Sequence, residues 1–445
     1  MNAKLRQRSY VTSFGASDMP ERPFPMPSLD SLIQGDRPIC YGVLKPGIEE
    51  DHGVPLIRIV DMESGGLRSE GLFRITPALD KEFARSRIDA GDLLLSIQGT
   101  VGRVAIAPPE LAGANISRTI ARLSFAAAGD GRFYKHWFLS SDGLRAMDGA
   151  IVGTTRSSLN IGVLRKVAVP SPTGPEKSTI ADILDTLDTA IRQTEAIIEK
   201  LKQVQRGLLH DLLTCGIDTN GELRPPQSQA PHLFKDSPLG WIPREWDVLP
   251  IASLVRQVTY GFTNPMPTTT EGPWMLTAAD IADGRIDYST ARRTSHREFA
   301  RLSRKSRPSK GDILVTKDGT LGRVAVLDRD DVCVNQSVAV LSPLEAGACA
   351  FLALYLRSPL GQDRMIADAG GSTIKHIYIT TLADMLVPGP PQAEALEIER
   401  RASALEQRVQ LEASELVKLH ALKSGLMDDL LTGRVRVTPL LHNLS

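Results

Sequence analysis

IADILDTLDTAIRQTEAIIEKLKQVQRGLLHDLL, residues 180–213, decides the architecture. Ile180, Leu184, Leu187, Ile191, Thr194, Ile198, Leu201, Gln205, Leu208 and Leu212 follow one another at alternating steps of four and three, and eight of the ten are apolar. A stripe with that spacing stays on one face of a helix and lets it wind on a partner helix. Adding 218 to each number gives Ile398, Ala402, Leu405, Val409, Glu412, Leu416, Leu419, Lys423, Leu426 and Leu430. The seam recurs and breaks at the same two places, Thr194 and Gln205 answering to Glu412 and Lys423. Each helix follows a block of about 170 residues.

The blocks repeat as well. GDLLLSIQGTVGRVAI at 91–106 aligns with GDILVTKDGTLGRVAV at 311–326, nine of 16 positions being identical. Asn115 and Ser117 fall on Asn335 and Ser337 at the same offset of 220, Tyr41-Gly42 and Asp61 on Tyr260-Gly261 and Asp280 at 219, and GLLHDLLT at 207–214 on GLMDDLLT at 425–432. An offset this constant means a duplicated domain-plus-helix unit. Each block alternates short β-rich runs with Gly and Pro punctuation around one helical patch, an α+β pattern. The expected layout is a loose arm over 1–27, a first α+β domain over 28–172, a first spacer helix over 173–217, a Pro-rich linker loop over 218–240, a second domain over 241–391, a second helix over 392–433 and a tail over 434–445.

A pseudo-two-fold axis through such a duplication makes the two helices an antiparallel coiled coil. If facing residues sum to 617, Thr194 meets Lys423 and Gln205 meets Glu412, so that no charge is buried against leucine. The alternative is two amphipathic helices, each docked on its own domain. Residues 180–212 span about 50 Å as a helix, against about 34–36 Å for one turn of DNA. A rod of that length could hold two reading heads a fixed distance apart.

Composition sets the class. The chain has 445 residues, 42% hydrophobic and 23% charged, with a formal net charge of zero. Length implies two or three domains, and any DNA contact must rest on local patches. Cys40, Cys215, Cys333 and Cys349 are scattered, which argues against a zinc site or disulfide framework and fits a reducing cytoplasm. There is no 18-residue apolar run and no signal-peptide pattern, so no membrane partner is expected. Phosphate-loop, dinucleotide, metalloprotease and nucleophile-elbow motifs are missing. Asn264-Pro265-Met266-Pro267 is a poor match to a methyltransferase motif, and Lys317 lacks the acids of a nuclease site. No catalytic, cofactor-binding or metal residues are therefore assigned.

The candidates that remain are DNA contacts. The GT-x-GR loops, carrying Thr100 and Arg103 in one copy and Thr320 and Arg323 in the other, read as glycine-turned hairpins offering donors to phosphates or bases, or as structural turns with a solvated arginine. Gln98 and Lys317 vary between the copies on that fixed frame. GTTRSSL at 153–159 (Thr154, Thr155, Arg156) matches GSTIKHI at 371–377 (Ser372, Thr373, Lys375), a Gly-hydroxyl-base loop suited to phosphate. Asn115 and Arg118, with Asn335 and Gln336, are possible readers of base edges, although lone Asn residues more often cap turns. Arg292–Lys310, including Arg293, holds eight Lys/Arg against one Glu and reads as a phosphate-facing stretch.

The order head, helix, head, helix, together with SPLGWIPREW at 237–246, LLTCGID–GELRP at 212–225, GVPLIRIVDM at 53–62 and LMDDLLTGRVRV at 426–437, resembles the specificity subunit of type I restriction–modification systems. The first block departs from it, having FPMPSL at 24–29 where a PLGWIP-type entry would stand. The resemblance implies two target recognition domains separated by the antiparallel helices, each reading one half of a bipartite double-stranded DNA site. It implies two methyltransferase (modification) subunits docked on the helices and restriction/translocase subunits beyond them. It also implies no activity in this chain, S-adenosylmethionine, ATP and Mg²⁺ being held by the partners. Because the heads differ at Ile97/Lys317, Gln98/Asp318 and Arg156/Ile374, the expected target has two unlike halves. The other readings are a self-contained DNA methyltransferase or nuclease, and a partner-binding adaptor without sequence selectivity.

Overall fold

The computed structural model describes residues 24–63, 66–149, 151–152, 158–282, 284–367 and 375–442. The chain divides into two compact units. The first holds residues up to Ala196 together with Ser414 onward, and the second runs from Ile197 to Ala413.

In the first unit, β1 (Cys40–Tyr41), β2 (Val54–Ile57), β3 (Leu93–Ser96), β4 (Val104–Ile106), β5 (Asn115–Ile116) and β6 (Ile120–Leu123) precede helices α1 (Asp130–Leu139) and α2 (Ser141–Asp148). One antiparallel sheet runs β1-β6-β3-β4, and β2 pairs β5 in parallel through Leu56↔Asn115 and Ile57↔Ile116. Phe133, Tyr134, Trp137 and Phe138 press α1 onto the sheet through Leu93, Leu95 and Leu123. Helix α3 (Gly174–Thr214) then leaves this unit for the second.

The second unit repeats the plan with β7 (Val255–Tyr260), β8 (Thr269–Leu276), β9 (Ile313–Thr316), β10 (Val324–Val326), β11 (Val332–Val334) and β12 (Val338–Pro343), followed by α4 (Ala346–Arg357) and α5 (Pro359–Ala367). Its sheet order β7-β12-β9-β10 and the parallel pair β8–β11 match the first unit strand for strand. Helix α6 (Gln392–Leu430) returns to the first unit.

All twenty seam positions expected on α3 and α6 are buried or half-buried. In the first unit, Ile180 and Leu184 of α3 share a core with Met427 and Leu430 of α6. In the second unit, Leu212 of α3 shares one with Ala395 and Ile398 of α6. Numbers fall on one helix as they rise on the other, so within each unit the segments pack antiparallel.

The register differs from the expected one. Lys423 bonds the Asp188 carboxylate, which puts the facing sum at 611 rather than 617, and the Ile217 N–H donating to Glu394 at 2.8 Å gives the same sum in the second unit. A lysine is better satisfied by a carboxylate than by the hydroxyl of Thr194. Glu412 is answered on its own helix by Arg408 at 2.6 Å.

Each helix start is clamped by an arginine beyond the other helix's end. Glu176 accepts from Arg436 at 2.9 and 2.6 Å, and Glu394 from Arg224 at 2.5 and 3.1 Å. The stretch 218–240 is accordingly more than a loop, since Phe234–Lys235 also pairs Ile242–Pro243. The segment after α6 is tied down too, Val437 lying in the first unit's core. At the other end, Pro25 and Pro27 accept backbone hydrogen bonds from Ser171 and Val169, so ordered structure begins before residue 28.

Candidate nucleic-acid interface

Both GT-x-GR loops are hairpin turns, between β3 and β4 and between β9 and β10, with Gly99, Gly102, Gly319 and Gly322 at positive φ. In the first, the Ser96 hydroxyl donates to the Thr100 carbonyl at 2.6 Å and accepts from the Arg103 N–H at 2.7 Å. In the second, Thr316 makes the same two bonds to Thr320 and Arg323. The arginines serve this frame. Arg103 donates to the carbonyls of Ile59 and Met62 at 3.2 and 3.0 Å, and Arg323 to that of Ile281 at 3.1 Å. Through Nη1 each guanidinium ties its hairpin to the neighbouring strand turn, and Arg103 stays exposed. Thr100 and Thr320 remain exposed at the tips.

The reading of Asn115 is corrected. It is fully buried, donates to Asp80 and Phe83 at 3.0 and 3.1 Å and accepts from Ser86 at 2.7 Å, out of reach of any ligand. Nor is Asn335 its counterpart. Ile116 and Val334 accept from the N–H groups of Val43 and Phe262, while Arg118 and Gln336 donate backbone N–H to those same two residues. The connection from β10 to β11 is two residues shorter than that from β4 to β5, so the offset drops from 220 to 218. Asn115 therefore matches buried Cys333, and Asn335 matches Ser117. Asn335 caps its own turn, accepting from the Ser337 N–H and hydroxyl at 3.1 and 2.5 Å.

This shift brings Arg118 and Gln336 into equivalence. Both are exposed at the tip of the same turn, and among the described residues neither side chain bonds within the protein. The turn is held by a close approach: a Cβ on Gly42 would lie 1.7 Å from the Ile116 carbonyl oxygen, and one on Gly261 1.7 Å from that of Val334. Only glycine fits there.

Beside the turn, Ile97 and Lys317 accept N–H bonds from Leu159 and Ile377, which pins the segment behind each Gly-hydroxyl loop. Thr154, Thr155, Arg156, Ser372 and Thr373 lie outside the described residues, while Lys375 is exposed. In the first copy, half-buried Gln98 bridges Ser158. In the second, Asp318 stands in that place, accepting from Lys317 at 2.7 Å and bonded to His376. Burial pushes the Asp318 carboxyl up, but those two partners outweigh it and hold it below the usual range. Lys317 and Lys305 both lie 5.6 Å from the Tyr260 ring centre, within cation–π reach. Tyr260 sits in the repeated Tyr-Gly pair, Lys305 in the basic run and His376 in GSTIKHI, stretches that only the fold brings together. Of the basic run, Arg292 is exposed, whereas Arg293 is held over Trp274 at 3.6 Å and donates to the Gly272 carbonyl.

One cluster has metal-ligand chemistry. His136, Asp185 and Asp188 in the first unit bring ligand atoms within 4.8 Å of one another. Arg132 and Lys135 already bond Asp185 at 2.7 and 2.8 Å, and Lys423 bonds Asp188. The group is an ion network joining α1 to both long helices, its two carboxylates answered by three cations. Among the described residues no helix is long and apolar enough to cross a membrane.

A family model for the type I restriction modification DNA specificity domain matches residues 48–203 and again 268–421, one copy per repeat. The chain belongs to that family. This specificity protein is 26% identical over 268 residues to the type I restriction enzyme EcoBI specificity subunit of Escherichia coli, covering 59% of this chain and 56% of the relative. It is 21% identical over 298 residues to the MjaVIII specificity subunit of Methanocaldococcus jannaschii, 65% and 67% of the two chains being covered. The match thus spans little more than half the length of the Escherichia coli relative. Among solved structures, the S subunit of a type I restriction–modification system from M. genitalium shares the fold, with a TM-score of 0.55 at 14% identity over 94% of this chain and 98% of the other.

Proposed function

We propose that this specificity protein selects the DNA target of a type I restriction–modification complex, each module reading one half of an asymmetric bipartite site. One observation carries the reading: two modules share a backbone frame but present different side chains at equivalent places, the exposed Arg118 and Gln336 above all. Arg118 stands where Gln336 stands, and Gln98 where Asp318 does. Arginine suits the O6/N7 edge of guanine and glutamine the N6/N7 edge of adenine. Arg118, Gln336, Thr100, Thr320, Gln98, Lys317, Lys375 and Arg292 are the candidate contacts within the described residues; Arg103, Arg323, Asn115 and Asn335 support the frame.

The chain supplies specificity and its partners supply chemistry. S-adenosylmethionine, ATP and Mg²⁺ act on two methyltransferase subunits and on restriction/translocase subunits. Docking on the helices is supported by apolar side chains off the seam that stay exposed, among them Ile197, Leu411 and Val417 at 46%, 60% and 69%. The test is methylome sequencing of the source strain with and without the gene. Loss of a bipartite, non-palindromic adenine-methylation motif supports the reading, and an unchanged methylome or a palindromic motif defeats it.

A further inference from the structure

The second unit holds a cleft of about 1000 Å³ that its duplicate helps to interpret. Arg256, Arg304, Arg307 and Lys310 line it with Asp312 and Glu345, and α6 contributes Glu399 and Glu406, the latter paired with Arg357 at 2.9 Å. The same place in the first unit is electrically closed. There Arg87 bonds Asp80 at 3.0 and 3.1 Å, and Arg37 bonds Asp92 at 2.7 Å as well as Asp89.

In the second unit two of those three acids are replaced, Asp312 keeping the place of Asp92, and cations are added. Phe299 takes the place of Asp80, each lying in the turn of helix begun by the equivalent caps Ser295 and Thr76, and Arg307 lies over the Phe299 ring at 5.6 Å. Ser309 replaces Asp89, since each donates its N–H to the next aspartate, Asp312 or Asp92, at 3.0 and 2.8 Å. Arg304 and Lys310 stand where the first unit has Ala84 and Ala90. Among the described residues, Arg256, Arg304, Arg307 and Lys310 have no carboxylate partner, and the buried Arg307 Nε has no acceptor at all. Asp312 is buried without an ion pair, and desolvation pushes its carboxyl up.

We propose that this cleft binds the polyphosphate chain of a small phosphorylated ligand of the nucleoside-triphosphate class. Three guanidiniums and an ammonium in one cleft, none of them paired with a carboxylate among the described residues, match the phosphates of a compact polyanion. Ser309 and Ser342 add hydroxyls to the same wall. The carboxylate of Glu399 faces the other way in character: it repels a continuous polyanion but accepts from the amino or hydroxyl groups at a nucleotide's far end. That asymmetry favours a small ligand over a DNA backbone.

The test uses the full chain without DNA, titrated calorimetrically at low salt with ATP and, separately, with inorganic tripolyphosphate. Two variants interrogate the site: Ser309→Asp, which restores the acid of the first unit, and Lys310→Glu, an exposed change. Both should keep the wild-type unfolding midpoint and weaken binding at least tenfold. Equal affinity for the two probes assigns the site to the phosphate chain alone, and tighter ATP binding assigns it to the nucleotide. Absence of millimolar binding by either probe, or binding that neither variant weakens, overturns the proposal. So does a short DNA duplex that displaces ATP and is itself weakened equally by both variants, because the cleft would then be part of the DNA surface.

Discussion

The reciprocal clamps differ in one respect that gives a quantitative expectation. Arg224 and Glu394 are each only 8% exposed, whereas Arg436, the partner of Glu176, is 43% exposed. Replacing Glu394 with Ala strands a buried guanidinium and removes the acceptor of the Ile217 N–H. Breaking a buried pair from one side costs about 3–5 kcal/mol. Replacing Glu176 with Ala leaves Arg436 free to rehydrate, so the loss is that of its charged hydrogen bonds, about 1–3 kcal/mol. At roughly 2–4 °C per kcal/mol for a unit of this size, Glu394→Ala should lower the second unit's midpoint by about 6–20 °C. Glu176→Ala should move the first unit's midpoint much less. Thermal unfolding followed by hydrogen exchange, with peptides of each unit read separately, distinguishes the two. A shift of the second unit below about 2 °C, or one no larger than that of the first, would mean that burial does not set the strength of the clamp.

Arg118→Gln should alter the methylated motif in one half-site only, by the ~1–3 kcal/mol that a bidentate base contact discriminates; Arg103→Ala should leave the motif unchanged while lowering stability, and the paired methylomes and unfolding curves report both. Gly261→Ala forces a methyl group onto the Val334 carbonyl and should destabilise the second unit by about 3 kcal/mol or more, read as loss of soluble, cooperatively unfolding protein. In the first unit, Asp185 and Asp188 are held below the usual carboxyl range: burial raises them, but His136, Lys135 and Arg132 around Asp185, and Lys423 around Asp188, outweigh it. Burial also keeps His136 below its usual value, against the pull of Asp185. An unfolded chain takes up the histidine proton as pH falls through about 6.5 and the carboxyl protons near about 3.9. Stability of the first unit should thus decline mildly below about pH 6.5 and steeply below about pH 4. His136→Gln should flatten only the upper part in pH-dependent unfolding curves, and an unflattened profile would remove the histidine from the account.

The heptad seam was legible because periodicity is a local property, and all twenty positions proved protected. Its register was not, because it depends on which acid beside the seam reaches Lys423, and nothing in the spacing distinguishes Asp188 from Thr194. The duplicated strands and the positive-φ glycines of the hairpins could be read from the repeat. The two-residue drop in offset could not, because it falls in the divergent stretch between β10 and β11, and Asn335 was matched to the wrong partner as a result. Arg103 and Arg323 recur for a reason that composition hides: they bond carbonyls of a strand turn some forty residues earlier. Asn115 looked like a reader because amides read bases, yet its burial depends on Asp80 and Ser86, which only the fold brings to it.

The path of the chain through its two units has a consequence for the order of folding. The second unit is one continuous stretch, Ile197–Ala413, while the first is completed by residues from Ser414 onward, including Arg436 and Val437. A ribosome therefore releases everything the second unit needs before the first can close over its core. Until then Ile180, Leu184 and Glu176 wait with an uncovered apolar face, and closing the intervening loop of some two hundred residues costs about 5 kcal/mol of chain entropy. If the second unit folds first, it holds α3 and α6 together and shortens that search, so early damage to the Glu394 clamp would delay the unit that it does not touch.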